Sequence, residues 1–153
     1  MQLWSWVDRA LAQSIAAGEF EIKDLPKLHF NDDIKLKHAS SFLQYFSNYS
    51  TFNEAWMVYR SIRGFFDSEY TLPLQIWLAN LSQMSRSAQW IFVLNYVIAF
   101  FNANKHMKPE AWLTMNADLV TRHIILPSQA LSSFTGHPRS SPLSVKKFYA
   151  NRT

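Results

Sequence analysis

The stretch that decides the fold is AQWIFVLNYVIAFFNA, residues 88–103. As a helix it is apolar on nearly every side, with Asn95 as the one amide inside the run from Trp90 to Phe101. A membrane-spanning helix needs about 20 apolar residues, and this run is shorter. It therefore predicts a central helix that is buried on most sides and around which other helices pack.

Outward from this segment, apolar residues recur at helical spacing on both sides. These patterns predict six more helices, at residues 2–17, 37–50, 52–66, 72–84, 109–122 and 128–134. Residues 19–36 are predicted to be a connector and residues 85–87 a turn. The fold class predicted is all-α, with antiparallel helical hairpins in a short solenoid-like array or a compact bundle.

Several residues suggest where these helices begin and end. Thr51 or Asn53 is expected to cap the helix at 52–66, and Glu54 completes a capping-box spacing with Thr51. Thr71 is expected to cap the next helix, and Gly18 to end the first.

The composition excludes several classes of protein. Aromatic residues make up 16% of the 153 residues, which supports a packed core and excludes wholesale disorder. Only 3 glycines are present, too few for a Rossmann fold or a phosphate-binding loop. Cysteine is absent, which excludes disulfides and thiolate metal sites and fits a reducing compartment, the cytoplasm or the mitochondrial matrix.

Charge is distributed unevenly along the chain. Residues 1–118 are nearly neutral, whereas residues 119–153 hold no acid and five basic residues, Arg122, Arg139, Lys146, Lys147 and Arg152. We therefore predict one helical domain, residues 1–134, followed by a basic, mobile tail, residues 135–153. Such a tail suits contact with RNA, an anionic membrane surface or an acidic protein patch, and a merely solvated tail is the alternative.

Two internal regularities stand out. The triplet Glu-Ala-Trp occurs at residues 54–56 and again at 110–112. Predicted helix starts near Lys37, Pro73 and Pro109 are spaced by 36 residues, a spacing that the triplets do not share. A repeating unit of two helices would bury its apolar face only by stacking on its neighbours.

The stretches KHASSFLQYFSNYSTFNEAWMVYRSIRGFF, residues 37–66, and FVLNYVIAFFNANKHMKPEAWLTMNADLVTRHIILP, residues 92–127, resemble pentatricopeptide and tetratricopeptide helical hairpins. In the first, Ala55 stands at the small position of the second helix, with Tyr59 and Ile62 as core residues. The resemblance implies an RNA-reading solenoid in which early polar residues of each first helix contact bases, here Ser40 or Ser41, and Asn95.

Three arginines of the predicted helices are further candidates for RNA contact. Arg60, Arg63 and Arg86 would line a basic surface beside Arg122 if the helices at 52–66 and 88–103 pack side by side.

Catalytic and metal-binding patterns were not found in the sequence. The five histidines form no metal-ligand spacing with a carboxylate, and each is expected at the surface or at a helix end. We therefore predict no enzyme activity, no cofactor and no metal. The function predicted is a non-catalytic binding module for RNA or a ribonucleoprotein, a gene-expression factor. The alternative is a protein–protein adaptor or regulatory subunit that uses an apolar aromatic surface.

Overall fold

A computed structural model describes residues 4–29 and 41–136. The described residues form α-helices, short 3-10 helices and one π turn, with no strand among them. The prediction of an all-α protein is confirmed. The α-helices are α1 (Arg9–Ala16), α2 (Phe42–Tyr45), α3 (Tyr49–Phe66), α4 (Thr71–Ser87), α5 (Trp90–Asn104), α6 (Ala117–Val120) and α7 (Leu126–Gly136).

Helix α5 supplies the centre of the core, as its sequence predicted. Its buried side chains are Val93, Leu94, Tyr96, Val97, Phe100 and Phe101. At about 100° per residue they share one broad face of the helix. The opposite face is more open, with Ile91 39% exposed and Asn95 and Ile98 half-buried, so the prediction of burial on most sides was only partly right. No helix in the described ranges is long and apolar enough to cross a membrane.

Three tryptophans meet in the middle of this core. Trp56 of α3 lies 4.8 Å from Trp77 of α4 between ring centroids, and Trp77 lies 5.1 Å from Trp112. Trp56 and Trp112 are 6.0 Å apart, and all three side chains are almost fully buried. The tryptophans of the two Glu-Ala-Trp triplets therefore lie in one cluster. The triplets differ in local structure, because Trp56 is in an α-helix and Trp112 is in the 3-10 helix Pro109–Trp112.

The N-terminal region is less helical than predicted. Helix α1 covers only Arg9–Ala16, whereas a helix over residues 2–17 was expected. Gly18 does end it, with a φ of +75°, a backbone conformation that favours glycine. The predicted connector contains a 3-10 helix, Ile22–Leu28, whose residues Ile22, Leu25, Pro26 and Leu28 are buried, so this segment belongs to the core.

The predicted helix at 37–50 was wrong in its extent, because the chain breaks between α2 and α3. Asn48 is extended there, and its side-chain oxygen accepts a hydrogen bond from the backbone N–H of Thr51 at 2.9 Å. Asn48 is therefore the cap of α3, in place of Thr51 or Asn53. In a continuous helix from α2, the Thr51 N–H would donate to a backbone carbonyl one turn earlier. Here it donates to the Asn48 side chain instead, which breaks the helix.

Helix α4 is longer than predicted at both ends. Thr71 is its first residue, preceded by the 3-10 helix Ser68–Tyr70, which Asp67 caps by accepting from Glu69 N–H at 3.2 Å. Residues 85–87, predicted to be a turn, form the last turn of α4. A Cβ on Gly64 would collide with Thr71 Oγ1, so this glycine lets the end of α3 lie close to the start of α4.

The predicted helix at 109–122 is broken. After the 3-10 helix, Asn116 caps α6 through a 3.1 Å bond from Leu119 N–H, and a π turn, Thr121–Ile125, joins α6 to α7. Pro127 lies inside α7 rather than before it. Proline cannot donate to the carbonyl of residue 123 and crowds it, and the wider π turn just before it relieves that crowding.

Candidate functional site

The predicted basic surface is not assembled as one patch, because Arg63 is buried. Its side chain is 8% exposed, and its Nη1 donates to the carbonyl oxygen of Ala16 at 3.1 Å. The guanidinium carbon lies 3.9 Å from the centroid of the Tyr70 ring. Arg63 thus ties the end of α1 to α3 and to the start of α4, and we leave it out of any binding surface.

The other candidate residues in the described ranges lie on different elements of the fold. Arg86 and Arg122 are exposed, and Arg122 is paired with Asp118 one turn earlier. Arg60 and Asn95 are half-buried on α3 and α5. Side chains of α3 and α5 do contact each other, at Tyr49 and Phe52 with Trp90 and at Trp56 and Tyr59 with Phe101.

The remaining predicted RNA contacts lie outside the described residues. They are Ser40, Arg139, Lys146, Lys147 and Arg152. The described residues themselves carry nine basic and nine acidic side chains, so that part of the chain has no excess of positive charge.

Burial around Arg63 also affects a tyrosine. Burial raises the pKa of the Tyr59 hydroxyl far above its usual range, and the adjacent Arg63 guanidinium offsets only part of that rise. Burial raises the pKa of Tyr96 as well. Both hydroxyls therefore stay protonated in the folded chain at a pH at which an unfolded tyrosine ionises, about 10.

We expect the free energy of unfolding to fall as the pH rises above about 10, since only the unfolded chain can then release these protons readily. This contribution is fully present below the unfolded pKa and is lost as the pH rises towards the folded pKa. Urea unfolding followed from about pH 8 to about pH 11 measures it. Tyr59→Phe and Tyr96→Phe should each flatten the decline, and an unchanged slope in the double variant would contradict the assignment.

The most prominent surface feature is a group of apolar side chains around the α3–α4 turn. Phe65, Phe66 and Leu72 are 66%, 54% and 62% exposed, and we call these three residues the apolar end. Phe65 and Phe66 contact each other with ring centroids 5.2 Å apart, and Trp4 lies 5.6 Å from Phe65. Tyr70 donates its hydroxyl to the carbonyl of Met107 at 2.7 Å, which brings the half-exposed Met107 to the same end.

Charged residues border the apolar end. Asp67 and Glu69 lie between Phe66 and Leu72 in the turn, and neither is in an ion pair within the described part of the chain. On the other side of Tyr70, Lys105 and Lys108 flank Met107. The border is therefore acidic along the turn and basic near the end of α5.

Sequence reasoning missed the apolar end for a specific reason. The core positions Phe52, Trp56, Tyr59 and Ile62 predict that Phe66 continues the same buried face. The helix ends at Phe66 before any neighbour covers that position. The sequence did contain one indication of an exposed apolar residue here. Adjacent residues of a helix point about 100° apart, so Phe65 and Phe66 cannot both face the same core.

A buried histidine was also unexpected, because every histidine was predicted at the surface or at a helix end. His29 follows the 3-10 helix Ile22–Leu28 but is only 4% exposed. Its Nδ1 shares a hydrogen bond with the Tyr45 hydroxyl at 2.9 Å, and its Nε2 lies 2.7 Å from Glu54 Oε1 without being aligned for a regular hydrogen bond. His29 therefore lies at a helix end, as predicted, but it is buried there instead of exposed.

The cluster links three segments of the chain. Glu54 comes from α3, so the cluster joins the predicted connector to α2 and α3 at one point. Tyr45 and His29 are both buried, whereas the Glu54 side chain is 63% exposed. The capping-box role predicted for Glu54 does not apply, because its carboxylate faces His29.

Two shallow clefts lie elsewhere. One, with a volume of about 420 Å³, lies between α1 and the first 3-10 helix and is lined by charged residues that include Asp8, Glu19 and Lys27. The other, about 320 Å³, lies where the α4–α5 junction meets α7, at Ser87, Gln89, Phe92 and Ser128. Within the part of the chain that the structure describes, no group of three or more His, Cys, Asp or Glu side chains is placed to hold a metal ion.

Comparison with protein-family models, with curated proteins and with solved structures finds no match for this chain. Its function must therefore be argued from its own surface.

Proposed function

We propose that the chain is a non-catalytic helical binding module that captures a partner protein through the apolar end. The observation that carries this proposal is the exposure of Phe65 and Phe66 at the end of α3 and of Leu72 at the start of α4, on either side of one short turn. Burying one large apolar side chain lowers the free energy by about 1.5–3 kcal/mol. A partner that covers these three side chains would gain that stabilisation on binding. Contiguous exposed apolar groups of this kind are typical of interaction sites.

The scaffold that presents this end is proposed to be a pair of antiparallel hairpins, α3 with α4 and α4 with α5. Supporting contacts are Trp56 with Trp77, Gly64 with Thr71, and Trp77 with Phe100. In each pair the two helices would run in opposite directions. The resemblance to helical-repeat hairpins concerns residues 37–66 and 92–127. There the first helix of one unit is reduced to α2, and the second helix of the other is divided among a 3-10 helix, α6 and a π turn, so the resemblance lends no support to these hairpins.

The partner proposed is a segment that offers apolar side chains with basic neighbours. Aromatic residues at the middle of an interface commonly supply most of its binding energy, and Phe65 and Phe66 occupy that position here. Asp67 and Glu69 stand between the apolar residues and would pair with Lys or Arg side chains at the partner's edge.

A defined peptide pair tests this function. We expect the full chain to bind a synthetic amphipathic peptide of Leu and Phe flanked by Lys, and to bind the same peptide flanked by Glu more weakly. Phe65→Asp should weaken binding of the Lys peptide by at least about tenfold, a loss of about 1.4 kcal/mol, measured by fluorescence anisotropy.

The matched control is Ile91→Asp, which changes an exposed apolar residue at the opposite end of the helices, beside the start of α5. This variant should bind like the unmodified chain. Equal binding by the Phe65→Asp variant, or failure of the Lys peptide to bind, would overturn the proposal.

The second candidate function is contact with RNA or a ribonucleoprotein. The observation in its favour is the acid-free stretch at residues 119–153 with its five basic side chains. Because the described residues have no net charge, this contact would depend on Arg139, Lys146, Lys147 and Arg152. Binding of a single-stranded RNA through these groups should weaken steeply with added salt, whereas docking on the apolar end should depend on salt much less.

The lack of cysteine supports an intracellular, reducing setting for either function, in the cytoplasm or the mitochondrial matrix.

A further inference from the structure

We propose that the chain's own C-terminal segment, residues 143–149, docks on the apolar end of the same molecule. The proposal goes beyond the proposed function, because it names an internal ligand for the surface that a partner would use. It rests on the matching chemistry of the two segments and on the reach of the chain.

The chemistry of the two segments is complementary. Residues 143–149 read LSVKKFY, with two lysines between apolar side chains on either side. The turn from Phe65 to Leu72 reads FFDSEYTL, with two acids between apolar side chains on either side. Laid against each other, Lys146 and Lys147 meet Asp67 and Glu69 while the apolar groups meet across both flanks.

The acids of the turn are free to take such partners. Asp67 uses one carboxylate oxygen to cap the 3-10 helix, and Glu69 is exposed. Each lysine would therefore find a charge that no other described side chain neutralises. Lys105 and Lys108 near Met107 would repel a basic segment, so we place the segment along the turn, away from the end of α5.

The connection is long enough. The cleft between α7 and residues 87–92 places α7 beside the last turn of α4, whereas Leu72 lies in its first turn. The 17 residues of α4 span about 25 Å at about 1.5 Å per residue. Gly136 lies four residues beyond Ser132 of that cleft, about 6 Å along α7. Residue 146 lies ten residues beyond Gly136, and ten extended residues reach about 33 Å, which exceeds the span even if α7 points away from the turn.

Docking in the same molecule makes the C-terminal segment a competitor for any partner of the apolar end. A partner must displace it, and an anionic ligand that binds Lys146 and Lys147 would release it. The two functions considered above would then be linked, because occupation of the basic segment by RNA would uncover the apolar end.

A spin label tests the contact in the full chain. Since the sequence has no cysteine, Ala150→Cys gives a single labelling position. We expect paramagnetic broadening of the backbone amide signals of residues 65–72, and little broadening at Ile91, which lies at the other end of the helices. Mixing isotope-labelled chains without spin label with spin-labelled chains should give no broadening, because the contact is within one molecule.

Charge variants complete the test. Lys146→Glu with Lys147→Glu should abolish the broadening, and so should Asp67→Asn with Glu69→Gln, while Lys23→Glu should leave it unchanged. No broadening at residues 65–72, or broadening that survives both pairs of charge changes, overturns the proposal. Broadening that also appears in the mixed sample would overturn it, in favour of contact between two copies.

The peptide experiment and the spin-label experiment test separate proposals, and either proposal can be overturned while the other stands. If the C-terminal segment docks but the Lys peptide never binds, even to the Lys146→Glu/Lys147→Glu chain, the partner function is removed and the internal contact stands. If the peptide binds and no broadening is seen, the partner function stands alone.

Discussion

Replacing Trp56 with alanine should cost about 3–5 kcal/mol of the free energy of unfolding, the largest effect expected from any single change in this chain. The side chain is fully buried and stacks on Phe52 and Tyr59 of its own helix. It also contacts Trp77 and Trp112. Its removal leaves a cavity between helices that no single neighbour can fill.

Urea unfolding measures this loss, with Met57→Ala as the matched control. Met57 is the next residue of the same helix and is exposed, so its replacement should change stability by about 0.5 kcal/mol or less. Because domains of this size are stable by about 5–15 kcal/mol, the loss in the Trp56→Ala chain is between about a fifth and the whole of the stability. A loss no greater than that of Met57→Ala would show that the tryptophan cluster is not the centre of the core.

The second large effect is expected for Arg63→Met, which keeps most of the apolar stem and removes the charge. The change deletes the bond to the Ala16 carbonyl and the contact with the Tyr70 ring, and it removes the partner of the buried Tyr59 hydroxyl. Hydrogen bonds that involve a charged group contribute about 1.5–3 kcal/mol, and we expect a loss in that range.

Arg86→Met is the control, because Arg86 is exposed in the last turn of α4 and makes no ion pair in the described part of the chain. Its stability should be nearly unchanged. If the Arg63→Met chain is as stable as the Arg86→Met chain, the guanidinium does not hold α1 in place. RNA binding should be unaffected by Arg63→Met once folding is taken into account, since this arginine does not reach the surface.

The sequence predicts the fold class and the central helix well because both depend on apolar periodicity. The run from Trp90 to Phe101 has no polar face to turn towards water, so its central place in the core follows directly, although Ile91 on its outer face remains 39% exposed. The ends of helices depend on single local bonds. Asn48 was not recognised as a cap because Thr51 and Asn53 offer the same chemistry a few residues later.

The binding surface could be predicted only in part. Residue types show which side chains are able to bind RNA or a partner protein, and they show the basic stretch at residues 119–153. They do not show that Arg63 is turned inward towards Ala16, or that Phe66 lies beyond the last covered turn of α3. Both outcomes depend on which segment packs beside the end of α3, and that segment is distant in sequence.

The three central tryptophans have a consequence for how the chain reaches its native state. Trp56, Trp77 and Trp112 come from segments far apart in sequence, so none of them acquires its full environment from a locally formed helix alone. The entropy of closing two chain loops must be spent before the cluster gains its contacts. A chain shortened before Trp112 would therefore lose a ring that contacts both α3 and α4 at the centre of the core.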